Sequence, residues 1–394
     1  MNDNLNAHRR SVSARRLIFA MVVAGMLPLA GCGDIFEFSG TDALSNGSQF
    51  AFAPSTSKPV IIAIDTLDRD VAAELEVPHV PGSIVVSEDL DLLFATDPQN
   101  ETITVIDLNT REMVKSLDIH MRPDAALLNP FDRYVAFGSR DGAVSVWDMK
   151  TFEEMLRVDG LESAEIMTFG IDGRNLYVVE QRKKVISVIE MYERKKVAEI
   201  SLGGEDAPES RVSAMSRSAD GYTGFVSVTS ENRVVILDLI DWQVQGSVPV
   251  GKAPIRPYST ADNRYVLIPN RDDETLTVLS ALSHQVVATI PTGVKARELN
   301  TGWLDTVAFI MPEAGNEVAV IDLRELQRVD AITLPGRTDD GLVTSDSKVL
   351  LASLIDSGAI AVIDARSRTL EATIGTNAGA LEGIEIGVSN NLCH

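Results

Sequence analysis

The sequence predicts an all-β chain that folds as a single propeller of eight four-stranded blades. The main observation is a string of alternating apolar residues that ends in Val-Ile-Asp, with its clearest copy at Thr102–Asp107. Eight copies, some of them degenerate, end at marker positions 65, 107, 148, 190, 238, 280, 322 and 364. These positions are separated by 42, 41, 42, 48, 42, 42 and 42 residues, which fits the period of about 40–45 residues found in propeller blades.

Each period contains room for four short strands. Between the second and third markers, apolar alternation predicts an outer strand over 112–119, an inner strand over 124–128 and a further strand over 134–137, before the next marker strand. Turns containing Asp, Gly and Pro separate these segments, which is the pattern of consecutive β-hairpins. No repeat shows the 3.6-residue apolar period that a helix would need.

The two ends of the chain are predicted to share the eighth blade. Seven complete units run from about residue 80 to residue 374. The remaining apolar segments, over 49–77 and Gly383–Val388, supply three strands and one strand respectively. Such a splice closes the ring and leaves no open sheet edge. A seven-bladed ring is the alternative, and the single 48-residue step places an insertion at 202–210.

Composition restricts the partners more than the fold. Hydrophobic residues make up 45% of the 394 residues but aromatic residues only 5%, so the core is expected to be mainly aliphatic. The formal net charge is −22, and it becomes −25 without residues 1–31. A field of this sign repels nucleic acid and anionic lipid surfaces, and it favours basic or cationic partners.

The N-terminus has the pattern of an export signal. Four arginines precede a short apolar run over 17–28, which is shorter than the roughly 20 residues of a membrane-spanning helix. The run leads into Leu29-Ala30-Gly31-Cys32, and these four residues resemble a bacterial lipobox. The resemblance implies cleavage before Cys32 and lipidation of its thiol and amine, which would anchor the chain stably.

The segment after the lipobox predicts how the domain is attached. Residues 32–48 are rich in Gly, Ser, Asp and Asn and are expected to form a tether. In lipoproteins of this kind an Asp directly after the lipidated Cys favours the inner membrane, and here that residue is Gly33. The prediction is therefore a lipid-anchored protein on the periplasmic side, with the outer membrane preferred over the inner one.

The blade repeats resemble a known family. Turns such as Asp172-Gly173 and Ser218–Gly221 recur between the inner and second strands, in phase with the Val-Ile-Asp string. Together they resemble the YVTN-type β-propeller repeat, a relative of WD-repeat blades, over residues 49–389, with 390–394 left as a tail. No copy spells Tyr-Val-Thr-Asn, and Tyr177–Glu180 is the nearest.

Five arginines are candidate ligand-binding residues. The loops before the inner strands and those between the second and third strands are expected to share one face. The first set of loops carries Arg122, Arg211 and Arg337 at one blade position, with Arg256 and Arg297 aligned three residues later. These side chains are predicted to form a ring for an anionic ligand or a carboxylate. The alternative is ion pairing with the acidic loops of the same face.

Weaker sequence patterns leave a metal site and a haem site as alternatives. His79 and His120 precede the inner strands of adjacent blades, and with the neighbouring methionine they form a candidate site for a soft metal such as copper. Cys393-His394 matches the end of the Cys-x-x-Cys-His haem motif, but Asn390 stands in place of the first Cys. Covalent haem is therefore not expected, and no cofactor is predicted, although metal ligation by the terminal pair is left open.

Function is predicted as binding rather than catalysis. The sequence contains no Gly-x-Ser-x-Gly, His-Glu-x-x-His, phosphate-binding loop or dinucleotide fingerprint. The chain is interpreted as a scaffold that binds a protein or a small ligand. One alternative is a redox or haem-associated accessory protein, by resemblance to the haem-binding propeller of dissimilatory nitrite reductases. The other is a hydrolase of the calcium-dependent lactonase type, for which Asp339 and Asp340 are the carboxylates near one mouth.

Overall fold

The computed structural model describes residues 43–44, 49–204 and 211–386. The first strands are β1 (Phe50–Pro54), β2 (Val60–Asp65), β3 (Asp70–Glu76), β4 (Ile84–Ser87), β5 (Leu92–Asp97), β6 (Thr102–Asp107), β7 (Glu112–Asp118), β8 (Ala125–Leu128), β9 (Tyr134–Gly138), β10 (Val144–Asp148) and β11 (Glu153–Val158). They continue with β12 (Met167–Phe169), β13 (Asn175–Glu180), β14 (Val185–Glu190), β15 (Lys195–Ser201), β16 (Val212–Arg217), β17 (Thr223–Val228), β18 (Arg233–Asp238), β19 (Gln243–Pro249), β20 (Tyr258–Ser259) and β21 (Tyr265–Asn270). The last are β22 (Thr275–Ser280), β23 (Val286–Pro291), β24 (Ala296–Gly302), β25 (Val307–Pro312), β26 (Glu317–Asp322), β27 (Gln327–Thr333), β28 (Thr338–Val343), β29 (Val349–Leu354), β30 (Ala359–Asp364), β31 (Thr369–Gly375) and β32 (Glu385–Ile386).

These strands form eight four-stranded antiparallel sheets, so the eight-bladed prediction is confirmed and the seven-bladed alternative is wrong. Blades 1 to 7 are consecutive four-strand meanders from β4–β7 to β28–β31. The closing blade has the order β3-β2-β1-β32, so three strands come from the N-terminal part and one from the C-terminal part. Within the described residues the only helical element is a 3₁₀ turn at Thr229–Glu231.

The Val-Ile-Asp string has a local structural cause. The marker Asp ends the third strand and its carboxylate accepts N–H groups from the turn that follows. Asp65 Oδ1, for example, accepts from the N–H of Leu67 at 2.8 Å and of Asp68 at 2.9 Å. The residue four places after the marker is left-handed in all eight blades, as at Arg69 with φ 59°. The Asp thus caps a tight turn that starts the fourth strand.

A bulge follows at the same place in every blade. The pairing of the third and fourth strands shifts within the string, for example between Val105 and Ile106 in blade 1. The same shift occurs in the other seven blades. Bulges increase the local twist of a strand pair, which suits sheets that radiate from one axis. The core lies between neighbouring blades and is mainly aliphatic, with Ile61, Val105 and Val320 fully buried.

The meander topology creates two distinct faces. We call the "turn face" the one that carries the first-to-second and third-to-fourth strand turns of each blade. The "cavity face" carries the second-to-third strand loops and the loops that precede the inner strands. The shared face predicted for these two sets of loops is therefore confirmed by the strand order. The insertion predicted before blade 4 falls partly on residues 205–210, outside the described residues.

Candidate ligand cavity on the propeller axis

A cavity of about 800 Å³ opens among the innermost strands on the cavity face. Its lining comes from the closing blade and from blades 1, 2, 5, 6 and 7. Its size lies in the range of roughly 300–1,000 Å³ typical of small-molecule sites. The charged residues of the lining are Arg122, Asp124, Arg140, Arg256, Arg297, Glu298, Asp340, Glu382 and Glu385.

Three of these side chains occupy one structural position in consecutive blades. Arg256, Glu298 and Asp340 are 42 residues apart. Thr260, Gly302 and Thr344 are equivalent positions, because each bonds to or pairs with the first residue of the second strand of its blade. Each of the three charged residues stands four residues before one of these positions. Blades 5, 6 and 7 therefore present a cation and two carboxylates side by side at the axis.

The two carboxylates at this position connect neighbouring blades. Glu298 Oε2 accepts a hydrogen bond of 3.1 Å from the N–H of Gly341 in blade 7. Asp340 Oδ2 likewise accepts a hydrogen bond of 3.2 Å from the N–H of Ile384 in the next blade, which is the closing blade. Arg256 has no acceptor group to take the equivalent N–H of blade 6. The two carboxylates thus link neighbouring blades, whereas Arg256 forms no such link.

Burial changes the ionisation of two of the carboxyl groups. Protein atoms surround Glu298, and this desolvation, followed by the charge of Asp340, raises its pKa well above the usual value although Arg256 opposes the change. Burial and then the charge of Asp340 raise the pKa of Glu385 to about 8, again against Arg256. Both side chains still contact the cavity, since neither residue is fully covered. At neutral pH Glu385 is expected to be largely protonated, and the pKa of Glu298 is shifted in the same direction.

Protonation of Glu385 changes the charge balance of the cavity. Four arginines and five carboxyl groups line it. With Glu385 neutral, at most four charged carboxylates face the four guanidinium groups. The cavity then has no excess of negative charge in a protein whose formal net charge is −22. An anionic ligand is therefore repelled less here than elsewhere on the protein.

The arginines differ in how they are held. Arg122 Nε contacts Asp124 Oδ1 at 2.7 Å, and Arg140 Nε contacts Glu165 Oε1 at 2.6 Å. The side chain of Arg256 is exposed to the cavity, and within the described part of the chain it forms no ion pair. Arg256 is therefore the guanidinium best placed to receive a ligand, with the others supporting it.

The structure brings together only some of the arginines that the sequence singled out. Arg122, Arg256 and Arg297 line the cavity, whereas Arg211 and Arg337 are absent from its described lining. Arg337 instead binds Asp356, with Nη2 to Oδ1 at 2.6 Å, as the ion-pairing alternative predicted. The predicted alignment of Arg256 with Arg297 is wrong, because Arg297 stands five residues before Gly302, one position earlier. An irregular register between Ala296 and Glu298 accompanies this difference.

The predicted metal ligands are not assembled within the described residues. His79 Nδ1 lies 2.8 Å from Asp97 Oδ2, and His120 Nδ1 lies 3.0 Å from Asp118 Oδ1. Met121 is buried, in contrast to the exposed imidazole of His120. No group of three or more His, Cys, Asp or Glu suited to a metal occurs in these parts of the chain. Cys32, Cys393 and His394 lie outside them.

Sequence reasoning missed Glu298 and Glu385, and it placed the Asp339-Asp340 pair only near one mouth. The 42-residue spacing of Arg256, Glu298 and Asp340 was a usable signal, because it equals the blade period. Glu385 gave no such signal, since it lies in a two-residue strand at the splice. The side chain of Asp339 is not described.

Comparison with known proteins finds similarity in solved structures. No protein-family model matches the sequence, and no curated protein matches it. The fold is similar to dihydro-haem d1 dehydrogenase NirN in complex with DHE, with a TM-score of 0.72, 15% identity, and coverage of 87% of this chain and 76% of that one. It is also similar to a protein of unknown function from Desulfotomaculum acetoxidans, with a TM-score of 0.61, 13% identity, and coverage of 87% and 100%.

A third similar structure is the hydrazine synthase of Kuenenia stuttgartiensis, with a TM-score of 0.54, 16% identity, and coverage of 72% of this chain and 95% of that one. At these identities the similarities show the fold alone. They agree with the eight-bladed ring seen here and leave the YVTN-type assignment a prediction. The chain is a β-propeller, and what its cavity binds has to be argued from its own side chains.

Proposed function

We propose that this chain is a non-catalytic binding propeller, held by a lipid on Cys32 at the periplasmic side of a bacterial membrane, whose axial cavity binds a small ligand bearing a carboxylate. The observation that carries the proposal is the convergence of Arg122, Arg140, Arg256 and Arg297 on one cavity. Guanidinium groups bind carboxylates through paired, charge-assisted hydrogen bonds. The outer membrane remains the preferred location because Gly33 follows the lipidated residue.

The apolar part of the lining supports a ligand with a non-polar body. Pro81, Ile255, Leu299 and Leu342 line the same cavity as the arginines. Pockets of this kind bury an apolar surface and use a few charged groups to fix orientation. A ligand with a hydrophobic body and one or two carboxylates matches both features. An acidic loop of a protein partner would use the same arginines from the cavity face.

A haem-type tetrapyrrole is a second candidate, favoured by the similarity to the NirN complex. Its propionate-type carboxylates fit the arginines of the lining. The described lining contains no histidine, so it offers no imidazole to the iron. These residues would therefore hold such a group by its carboxylates, and the group would supply its own redox chemistry.

Replacing single cavity arginines should weaken ligand binding. We expect Arg256→Gln and Arg297→Gln each to weaken the binding of a small carboxylate or of haem, because each removes one charge-assisted interaction. The expected loss is about 1.5–3 kcal/mol, or roughly ten- to hundredfold in Kd, per arginine. Titration calorimetry with a panel of mono- and dicarboxylates measures it, with a visible spectrum recorded for haem.

Arg337→Gln is the matched control, because it removes an arginine from the same face but outside the described lining. Its Kd should equal that of the unaltered protein. Equal affinity for Arg122→Gln, Arg256→Gln, Arg297→Gln and the control would refute the cavity as the binding site. Capture of an acidic protein without any small-ligand binding would favour the protein partner instead.

Lipidation has its own test. We expect the mature protein to begin at Cys32 with the mass of the acyl chains added, and Cys32→Ser to lack that mass, because the proposed acyl chains are attached to this residue. Mass spectrometry of the N-terminal peptide measures both. An unaltered protein without the added mass would contradict the lipid anchor. Cys393→Ser is the control that keeps the added mass.

A further inference from the structure

The most exposed large apolar side chains lie on one face of the propeller. Within the described residues, the six that are from 63% to 91% exposed all lie in turns of the turn face: Leu67, Phe131, Tyr192, Ile240, Leu282 and Leu304. On the cavity face, Val80 is the one large apolar side chain among the described residues that is exposed, at 40%. Single exposed apolar residues are ordinary, but clustering at the tips of one set of turns marks an interaction surface.

The chain enters the propeller on this same face. The N–H of Leu44 donates to the carbonyl of Leu108 at 2.8 Å, directly after the blade 1 marker Asp107. The side-chain amide of Gln49 donates to Asp65 Oδ2 at 2.6 Å, at the marker of the closing blade. Both contacts are at third-to-fourth strand turns. The segment that leads back toward Cys32 therefore departs from the turn face.

The length of that segment limits how the propeller can sit. Cys32 and Leu44 are 12 residues apart, so the chain between them spans at most about 40 Å. If Cys32 carries the acyl chains, the turn face is held close to the bilayer, while the cavity face lies at the other end of every blade.

The charges of the turn face do not oppose this approach as much as the composition suggests. The marker carboxylates point into their own turns, as Asp107 does when it accepts the N–H groups of Asn109 and Thr110 at 2.8 and 2.9 Å. Acidic side chains such as Asp68 and Asp241 lie next to the exposed apolar tips, and basic side chains such as Arg69 and Arg111 occupy the left-handed turn positions of the same face. Leucine, aromatic and arginine side chains together are the composition of membrane-interface surfaces.

We propose that the turn face rests on the lipid bilayer, with Leu67, Leu282, Leu304 and their neighbours inserted at the headgroup boundary and the ligand cavity facing away. The inference rests on the proposed lipid anchor at Cys32. It adds a second, apolar attachment that fixes the orientation of the domain. A ligand would then reach the cavity from the aqueous side.

Site-specific quenching tests the proposal on the full lipidated chain. Single cysteines replace Leu282, Leu304, Gln99 or Ser357 in a Cys393→Ser background, and each carries an environment-sensitive fluorophore. The protein is reconstituted into phosphatidylethanolamine–phosphatidylglycerol vesicles with brominated acyl chains. We expect about a twofold or greater loss of fluorescence at 282 and 304, because interfacial side chains enter roughly 5–10 Å. The exposed positions 99 and 357 on the cavity face should show none.

A second variant separates insertion from mere proximity. With the label at Ile240→Cys, the triple change Leu67→Asp, Leu282→Asp and Leu304→Asp should reduce quenching to the level of the cavity-face labels while the protein still floats with the vesicles. Quenching that is equal on both faces, or unchanged in the triple variant, would refute the inserted turn face. Failure to float would refute the lipid anchor itself, and this inference with it.

Discussion

A chain that ends at residue 377 should fail to form a stable propeller. It would lack β32 and the segment before it, in which Ala378, Leu381, Ile384 and Ile386 are buried. Burial of each large aliphatic side chain contributes about 1.5–3 kcal/mol, so the three largest account for roughly 5–9 kcal/mol. That is comparable to the total stability of about 5–15 kcal/mol of a typical domain. The inner edge of β1 would also become an unpaired strand edge.

A chain that ends at residue 386 is the matched control. It keeps the pairing of β32 with β1 and the bridge between Ser55 and Leu381, and it removes only residues outside the described range. Both chains start directly after Cys32, and circular dichroism with size-exclusion chromatography compares them. We expect the control to be a monomer with a cooperative unfolding transition, and the shorter chain to aggregate. Equal denaturation midpoints would show that the splice does not hold the ring closed.

The sequence predicted the ring because one local rule is repeated in every blade. A marker Asp such as Asp107 caps a turn through its own neighbours, and the residue four places later takes the left-handed conformation. Interactions between near neighbours recur with the sequence, so their period is visible without coordinates. The splice was predictable for the same reason, because apolar alternation at the two ends leaves one blade incomplete.

The cavity was predictable only in part, because it depends on contacts between blades. Arg122, Arg256 and Arg297 were found from blade position, but one-residue differences in the inner-strand register decide which side chains face one another. The alignment of Arg297 failed on such a difference. The raised pKa values of Glu298 and Glu385 depend on burial by residues far away in sequence. The spacing of residues in the sequence does not show that burial, so these shifts could not be predicted.

Glu385 should make the protein less stable as the pH rises from about 4.5 to about 8. Its pKa is raised from 4.5 to about 8 in the folded protein. Between these values the folded chain retains a proton that the unfolded chain releases, so the folded state binds more protons and loses stability with rising pH. The contribution is fully present below pH 4.5 and is lost as the pH rises through about 8.

The variant Glu385→Gln tests this sign, because its amide keeps the shape of the protonated acid and does not ionise. Urea unfolding at pH 5 and pH 8.5 measures the free energy of unfolding. We expect the variant to match the unaltered protein at pH 5 and to exceed it at pH 8.5. The slope it removes is at most about 1.4 kcal/mol per pH unit, because a single carboxyl group binds at most one proton.

Glu382→Gln is the control, since it removes another carboxylate of the same cavity from an exposed residue. Ionisation of Glu385 should also weaken ligand binding, because it adds a negative charge beside Arg256. The affinity for a carboxylate should therefore fall above pH 8 in the unaltered protein and much less in Glu385→Gln. Parallel pH profiles of the unaltered protein and Glu385→Gln, for unfolding and for binding, would contradict the raised pKa of Glu385.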